Sequence, residues 1–136
     1  MRFILNLIWL VFGGLWLAIG YVVAGILACL LIVTIPVGVA SFRMARYVLW
    51  PFGKAVVDSG GNAVVSGVAN VIWFVIAGWW LALLHIATAI TQSLTLVGIL
   101  NAVVGLKMIP VTCFPFGKKI VDRDNLWPGQ RPLHSI

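Results

Sequence analysis

Asn6-Leu7-Ile8-Trp9 returns as Asn70-Val71-Ile72-Trp73, and the recurrence continues for the length of a whole structural unit. Residues 6–58 align with 70–122 without a gap, and 20 of the 53 pairs are identical. Chance agreement in so apolar a chain is roughly a tenth, so the sequence is an internal duplication. The identities include Gly14 with Gly78, Trp16-Leu17-Ala18 with Trp80-Leu81-Ala82, Pro51-Phe52-Gly53-Lys54 with Pro115-Phe116-Gly117-Lys118, and Asp58 with Asp122. They divide the chain into a first repeat at 3–58, a linker at 59–66, a second repeat at 67–122 and an irregular C-terminal tail at 123–136.

Around these motifs the chain is strongly apolar. Hydrophobic residues fill 62% of its 136 positions, against about 45–50% in ordinary globular domains. Mean hydropathy is +1.13. No charged residue lies between Arg2 and Arg43, nor between Asp58 and Lys107, and each gap far exceeds the ~20 apolar residues that cross a bilayer. The expected fold is therefore all-α and integral to the membrane: two tandem helical repeats, about four membrane-embedded helices, and short amphipathic or re-entrant segments. The first apolar run is also longer than the ~7–15 residue core of a secretory signal, and no hydrophilic domain follows it, so it reads as a membrane helix.

Local chemistry gives each mark in the unit a role. Trp9, Trp16, Trp73, Trp79 and Trp80 read as interface anchors, since the ring favours partial burial while its N–H stays wet. Pro36 divides the first unit into an apolar helix ending near Thr34 and a segment carrying Arg43 and Arg46. Those arginines can snorkel to the surface or line a polar interior. Pro51 with Gly53, and Pro115 with Gly117, close the two units, because proline lacks an N–H and glycine tolerates positive φ. Cys29 and Cys113 have no metal-ligand neighbours and read as packing residues.

Nine Lys and Arg against three Asp and Glu give a net charge of +6. The cations gather at the termini and near the ends of the apolar blocks, which fits the positive-inside rule and attraction to anionic headgroups. A nucleic-acid binder needs a basic soluble face, which this chain lacks. Parallel copies would put every cation on one side and require an even number of crossings per unit, about four in all. Single crossings would instead make the copies inverted, as in many transporters. The positive-inside rule favours the parallel arrangement.

The paired Asn-x-Ile-Trp and Gly-x-Trp stretches, Ile35-Pro36-Val37-Gly38 and Trp50-Pro51-Phe52-Gly53 resemble the bacterial YccF family of inner membrane component domains. The resemblance covers residues 3–121 in both copies. It implies a protein of the bacterial inner membrane with a tandem domain and no assigned reaction; the apolar blocks and the positive-inside rule make it multi-pass with its basic ends in the cytoplasm. The second copy departs from the pattern: Ile99-Leu100-Asn101-Ala102 replaces the first copy's Ile-Pro-Val-Gly, and a proline follows only at Pro110.

Catalytic chemistry finds few candidates. The acids are Asp58, Asp122 and Asp124, all outside the apolar blocks, which removes paired-carboxylate catalysis and intramembrane Asp/Glu relays. No metal spacing, phosphate loop or nucleophile motif occurs, so neither enzyme activity nor a cofactor or metal is expected. The informative stretch is His85 to Thr95. Taken at helical spacing, His85, Thr88, Thr91, Gln92 and Thr95 form one polar stripe, where the first copy has Tyr21, Ala24, Leu27, Ala28 and Leu31. Such a stripe either glues helices together or lines a watery path. With Arg43, Arg46 and Lys107 at the cytoplasmic mouth, the second reading gives a homo-oligomeric, channel-like transport protein that passes inorganic anions. The alternative is a non-transporting structural or accessory subunit that binds membrane proteins or lipids.

Overall fold

The computed structural model describes residues 1–30, 32–96 and 98–136, and each unit is a long helix, a shorter helix and a strand. In the first, α1 (Arg2–Trp9), a wide π turn (Leu10–Gly14) and α2 (Leu15–Cys29) form one rod. A 3-10 turn (Ile32–Thr34) leads to α3 (Ile35–Leu49) and then β1 (Lys54–Asp58). The second unit repeats the order as α4 (Ala63–Trp73), a π turn (Phe74–Gly78), α5 (Trp79–Ser93), α6 (Gly98–Cys113) and β2 (Lys118–Asp122). A 3-10 turn (Arg123–Asn125) and β3 (His134–Ser135) complete the chain.

Among the described residues the rods Arg2–Cys29 and Ala63–Ser93, of 28 and 31 residues, are the helices long and apolar enough to cross a membrane. At ~1.5 Å per residue the shorter extends about 42 Å, against a hydrocarbon layer of about 30 Å. Their outward side chains, such as Val11, Ile26, Val75 and Ile90, are exposed isoleucine and valine, a surface suited to lipid rather than water.

Each rod folds back on its shorter partner. In the first unit the turn is made by Pro36, which sits in the first turn of α3, where its missing N–H is no loss. The second unit has no proline there. Its break is made instead by Thr95, whose Oγ1 accepts from the Gly98 N–H at 3.0 Å and so starts α6. Pro110 lies inside α6, within its last turn, and does not interrupt it.

The two hairpins are closed by the same bonds, 64 residues apart. The Asn6 side chain donates to the Phe52 carbonyl at 3.2 Å and accepts from the Phe52 N–H at 2.9 Å. Asn70 does the same to Phe116, at 3.1 and 2.9 Å. One helical turn on, the Trp9 indole N–H reaches the Val48 carbonyl at 2.6 Å and that of Trp73 reaches Thr112 at 2.7 Å. Both carbonyls belong to the last turn of a helix, where the backbone has no helical partner. In an apolar layer, water cannot supply one. The π turns that follow make room for these rings: a Cβ on Gly14 would lie 2.6 Å from the Trp9 ring, and one on Gly78 3.2 Å from that of Trp73.

A three-stranded antiparallel sheet, ordered β2-β1-β3, corrects the all-α expectation. Gly53 (φ +96°) and Gly117 (φ +79°) turn the chain out of α3 and α6. The β-branched runs that follow then pair, Lys54 with Asp122, Val56 with Ile120 and Asp58 with Lys118. Val56 faces its own repeat equivalent. So do Tyr21 and His85, whose side chains meet at 3.2 Å. An approximate two-fold axis therefore runs through both pairs, and all four hairpin ends gather at the sheet.

Within the 59–66 linker Asn62 accepts from the Val64 and Val65 N–H groups and α4 starts at Ala63. Two further expectations are corrected. The tail is not irregular: β3 pairs with β1, and the Ile136 N–H donates to Lys54 at 3.1 Å. Trp9 and Trp73 are wholly buried helix-end donors rather than interface anchors. Trp16, ~21 Å along its rod from Arg2, is exposed in the middle of the apolar stretch rather than at its edge. Trp79 and Trp80, at the corresponding height, donate to the Val75 and Ile76 carbonyls of the π turn.

Candidate functional site

The five stripe residues separate by a fraction of a helical turn, and that decides what each one meets. His85 and Gln92, seven residues apart on α5, face the first unit and are buried. Thr88 is half-buried and its hydroxyl returns to the Leu84 and His85 carbonyls. Thr91 is exposed and bonds back to Ala87 at 2.9 Å. Thr95 lies beyond α5, where it starts α6. The structure thus brings together two of the five.

Around His85 the hydroxyls form a directional chain. The Thr112 hydroxyl donates to the Met108 carbonyl at 2.9 Å, so its oxygen accepts from the Tyr21 hydroxyl at 2.5 Å. Tyr21 has then spent its only proton, and His85 Nε2 must donate to it. Nε2 therefore carries its hydrogen toward Tyr21, and Nδ1 has no hydrogen-bond partner among the described residues. Tyr21 and Thr112 escaped the sequence reading; an aligned tyrosine and histidine in apolar blocks were the available signal.

Gln92 reaches the other way. Its Nε2 donates to the Phe12 carbonyl at 3.3 Å, inside the first π turn, and packs where any Cβ on Gly13 would overlap it. Three buried polar atoms, His85 Nδ1, Gln92 Oε1 and Asn101 Nδ2, have no partner in the described residues. No carboxylate accompanies them, and among the described residues no group of three His, Cys, Asp or Glu could hold a metal. The cluster joins the two units, through His85 to Tyr21 and Gln92 to Phe12.

The cations divide as well. Arg43, Arg46 and Lys54 line one cavity beside the sheet. Lys107, the repeat equivalent of Arg43, is exposed on α6 and lies outside that cavity. Arg43 donates to the Pro115 carbonyl at 3.3 Å, and Lys54 pairs with Asp122 at 2.6 Å.

His134 on β3 sits beside Tyr47, Nε2 to Oη 3.2 Å. Burial, and then the positive charges of Lys118 and Lys107, hold its pKa below the ordinary 6.5. A depressed histidine contributes stability that is complete above the unfolded value and is lost as pH falls through the folded one. Acidification from pH 7.5 to 5 is therefore expected to lower the protection factors of the Leu133 and Ile136 amides, the tail groups bonded to β1, once the intrinsic slowing of exchange at low pH is divided out. His134→Gln should flatten that dependence; equal pH profiles in both proteins would refute it.

Helices with an apolar skin, internal polar clamps at their ends and a cationic end cap define a membrane-embedded domain of two like units. The chain belongs to the YccF family: the inner membrane component domain matches twice, at residues 4–54 and 68–118. It is similar to the inner membrane protein YccF of Escherichia coli (strain K12) and to that of Shigella flexneri. Each is 29% identical over 130 residues, spanning 89% of this chain and 88% of the relative. No solved structure matches.

Proposed function

We propose that this protein is a non-transporting component of the inner membrane, a structural or accessory subunit that binds lipids or other membrane proteins. One observation carries the reading: the polar side chains of the second rod are spent inside the chain, His85 on Tyr21 and Gln92 on the Phe12 carbonyl. Both hairpins enter and return to one face, giving four embedded helices in parallel copies. Supporting this, the sequence at 30–34 and 94–97 contains no charged residue, while the sheet end collects Lys54, Lys118 and Lys119. The positive-inside rule makes that end cytoplasmic.

A second reading, the anion-preferring homo-oligomeric channel, is favoured by the three unpartnered buried polar atoms, which water in a conduit could satisfy. Bilayer recording separates the two. The accessory reading expects no conductance from purified protein, and expects single cysteines at Gln92 and Thr91 to stay silent to a water-soluble thiol reagent. A current that Thr88→Leu or Gln92→Leu removes would overturn it in favour of the channel.

A further inference from the structure

The cavity beside the sheet is lined by both apolar and cationic side chains. It encloses about 650 Å³, within the ~300–1,000 Å³ range of small-molecule sites. Along α3 toward the sheet the lining passes from Val39 and Phe42 to Arg43 and Arg46, one turn apart, and then to Trp50, with Lys54 and Ile120 contributed by the strands. Val39 and Phe42 are also exposed on the outer surface, so the end of the cavity away from the sheet is continuous with the face that meets lipid.

Its two guanidinium groups are not paired with an acid. Among the described residues the ion pairs are Arg2 with Asp124 and Lys54 with Asp122. Arg43 meets only a carbonyl, and Arg46 has no hydrogen-bond or ion-pair partner among the described residues. Two exposed guanidinium groups one turn apart, with no carboxylate paired to either, can together take an anion, and their planar forks match phosphate oxygens. The second unit offers no equivalent, because Pro110 stands where the first has Arg46.

We propose that this cavity holds the phosphodiester headgroup of one anionic phospholipid. The phosphate lies between Arg43 and Arg46, and the acyl chains leave past Phe42 and Val39 into the bilayer. The site rests on the membrane-embedded accessory reading above and gives it a ligand. A free phosphate shares the headgroup chemistry but has no use for the apolar end.

Native mass spectrometry of the purified protein, reconstituted with phosphatidylglycerol or phosphatidylcholine, tests this. One phosphatidylglycerol should be retained at least about tenfold over phosphatidylcholine. Arg46→Gln should abolish the preference, Arg46→Lys should keep part of it, and Lys107→Gln should leave it intact. Should Arg46→Gln fail to fold, Arg43→Gln is read in its place. Soluble glycerol phosphate should not displace the lipid; displacement at equal concentration would assign the site to a free anion and overturn the proposal. Equal retention of the two lipids, or an unchanged preference in the glutamine variants, would overturn it also. Conductance in the same vesicles would defeat the non-transporting reading without touching lipid retention, so the two failures are distinguishable.

Discussion

Trp9→Ala is expected to destabilise the protein by about 3–5 kcal/mol, the range for truncating a large buried aromatic. The ring is fully buried, and its N–H serves the Val48 carbonyl at the end of α3. Two losses therefore combine, packed area and a hydrogen bond that the surroundings cannot replace. Trp9→Phe separates them: most of the area remains, and the orphaned carbonyl alone costs about 1–3 kcal/mol. Trp73→Ala should reproduce the effect in the second hairpin, through Thr112. Reversible unfolding in mixed micelles measures all three. A Trp9→Ala protein within 1 kcal/mol of the parent would show that the helix-end bond does not hold the hairpin.

Gly38→Val is expected to be nearly as damaging, for the opposite reason. A Cβ at Gly38 would overlap the Cys29 sulfur and lie 2.9 Å from the Gly25 carbonyl oxygen, so α2 and α3 must separate. Overpacking of this kind costs about 1–3 kcal/mol. The second unit carries Ala89 and Ala102 at the equivalent positions, and α5 and α6 accommodate both methyl groups. The double variant Gly38→Ala with Cys29→Ala should recover part of the loss of Gly38→Ala alone. Only part is recovered, because the Gly25 carbonyl belongs to the backbone and cannot be removed. Full recovery, or none, would contradict this packing.

What the sequence made legible follows the range of the forces involved. The apolar blocks, the duplication, the first break at Pro36 and the Gly53 and Gly117 turns are local or periodic signals, and the structure carries each of them. The sheet was not legible. Lys54 to Asp58 and Lys118 to Asp122 are five-residue segments, too short to declare themselves strands until the other half of the chain is beside them. The second break was equally hidden, since a threonine side chain made it and no proline marked it. In the candidate site the polar character of His85 and Gln92 was visible, but their direction was not. Whether a polar helical face meets water, lipid or a second helix depends on partners far away in sequence. The tryptophans were misread for a related reason: an indole N–H needs an acceptor, and a helix-end carbonyl serves as well as interfacial water.

The register of β1 on β2 bears on what the duplication achieved. Because Val56 pairs with its own equivalent, Lys54 faces the counterpart of Asp58, and Asp58 faces the counterpart of Lys54. A lone unit meeting a second copy of itself could lay down the same ladder with the same charge complement. The protein is thus a dimer written on one chain, and the short join before Ala63 replaces a bimolecular encounter with an effective concentration of about millimolar. A symmetric pair must carry every costly polar side chain twice. A fused pair carries His85, Gln92 and Arg46 once, each against a different neighbour, and the two halves are free to become unlike.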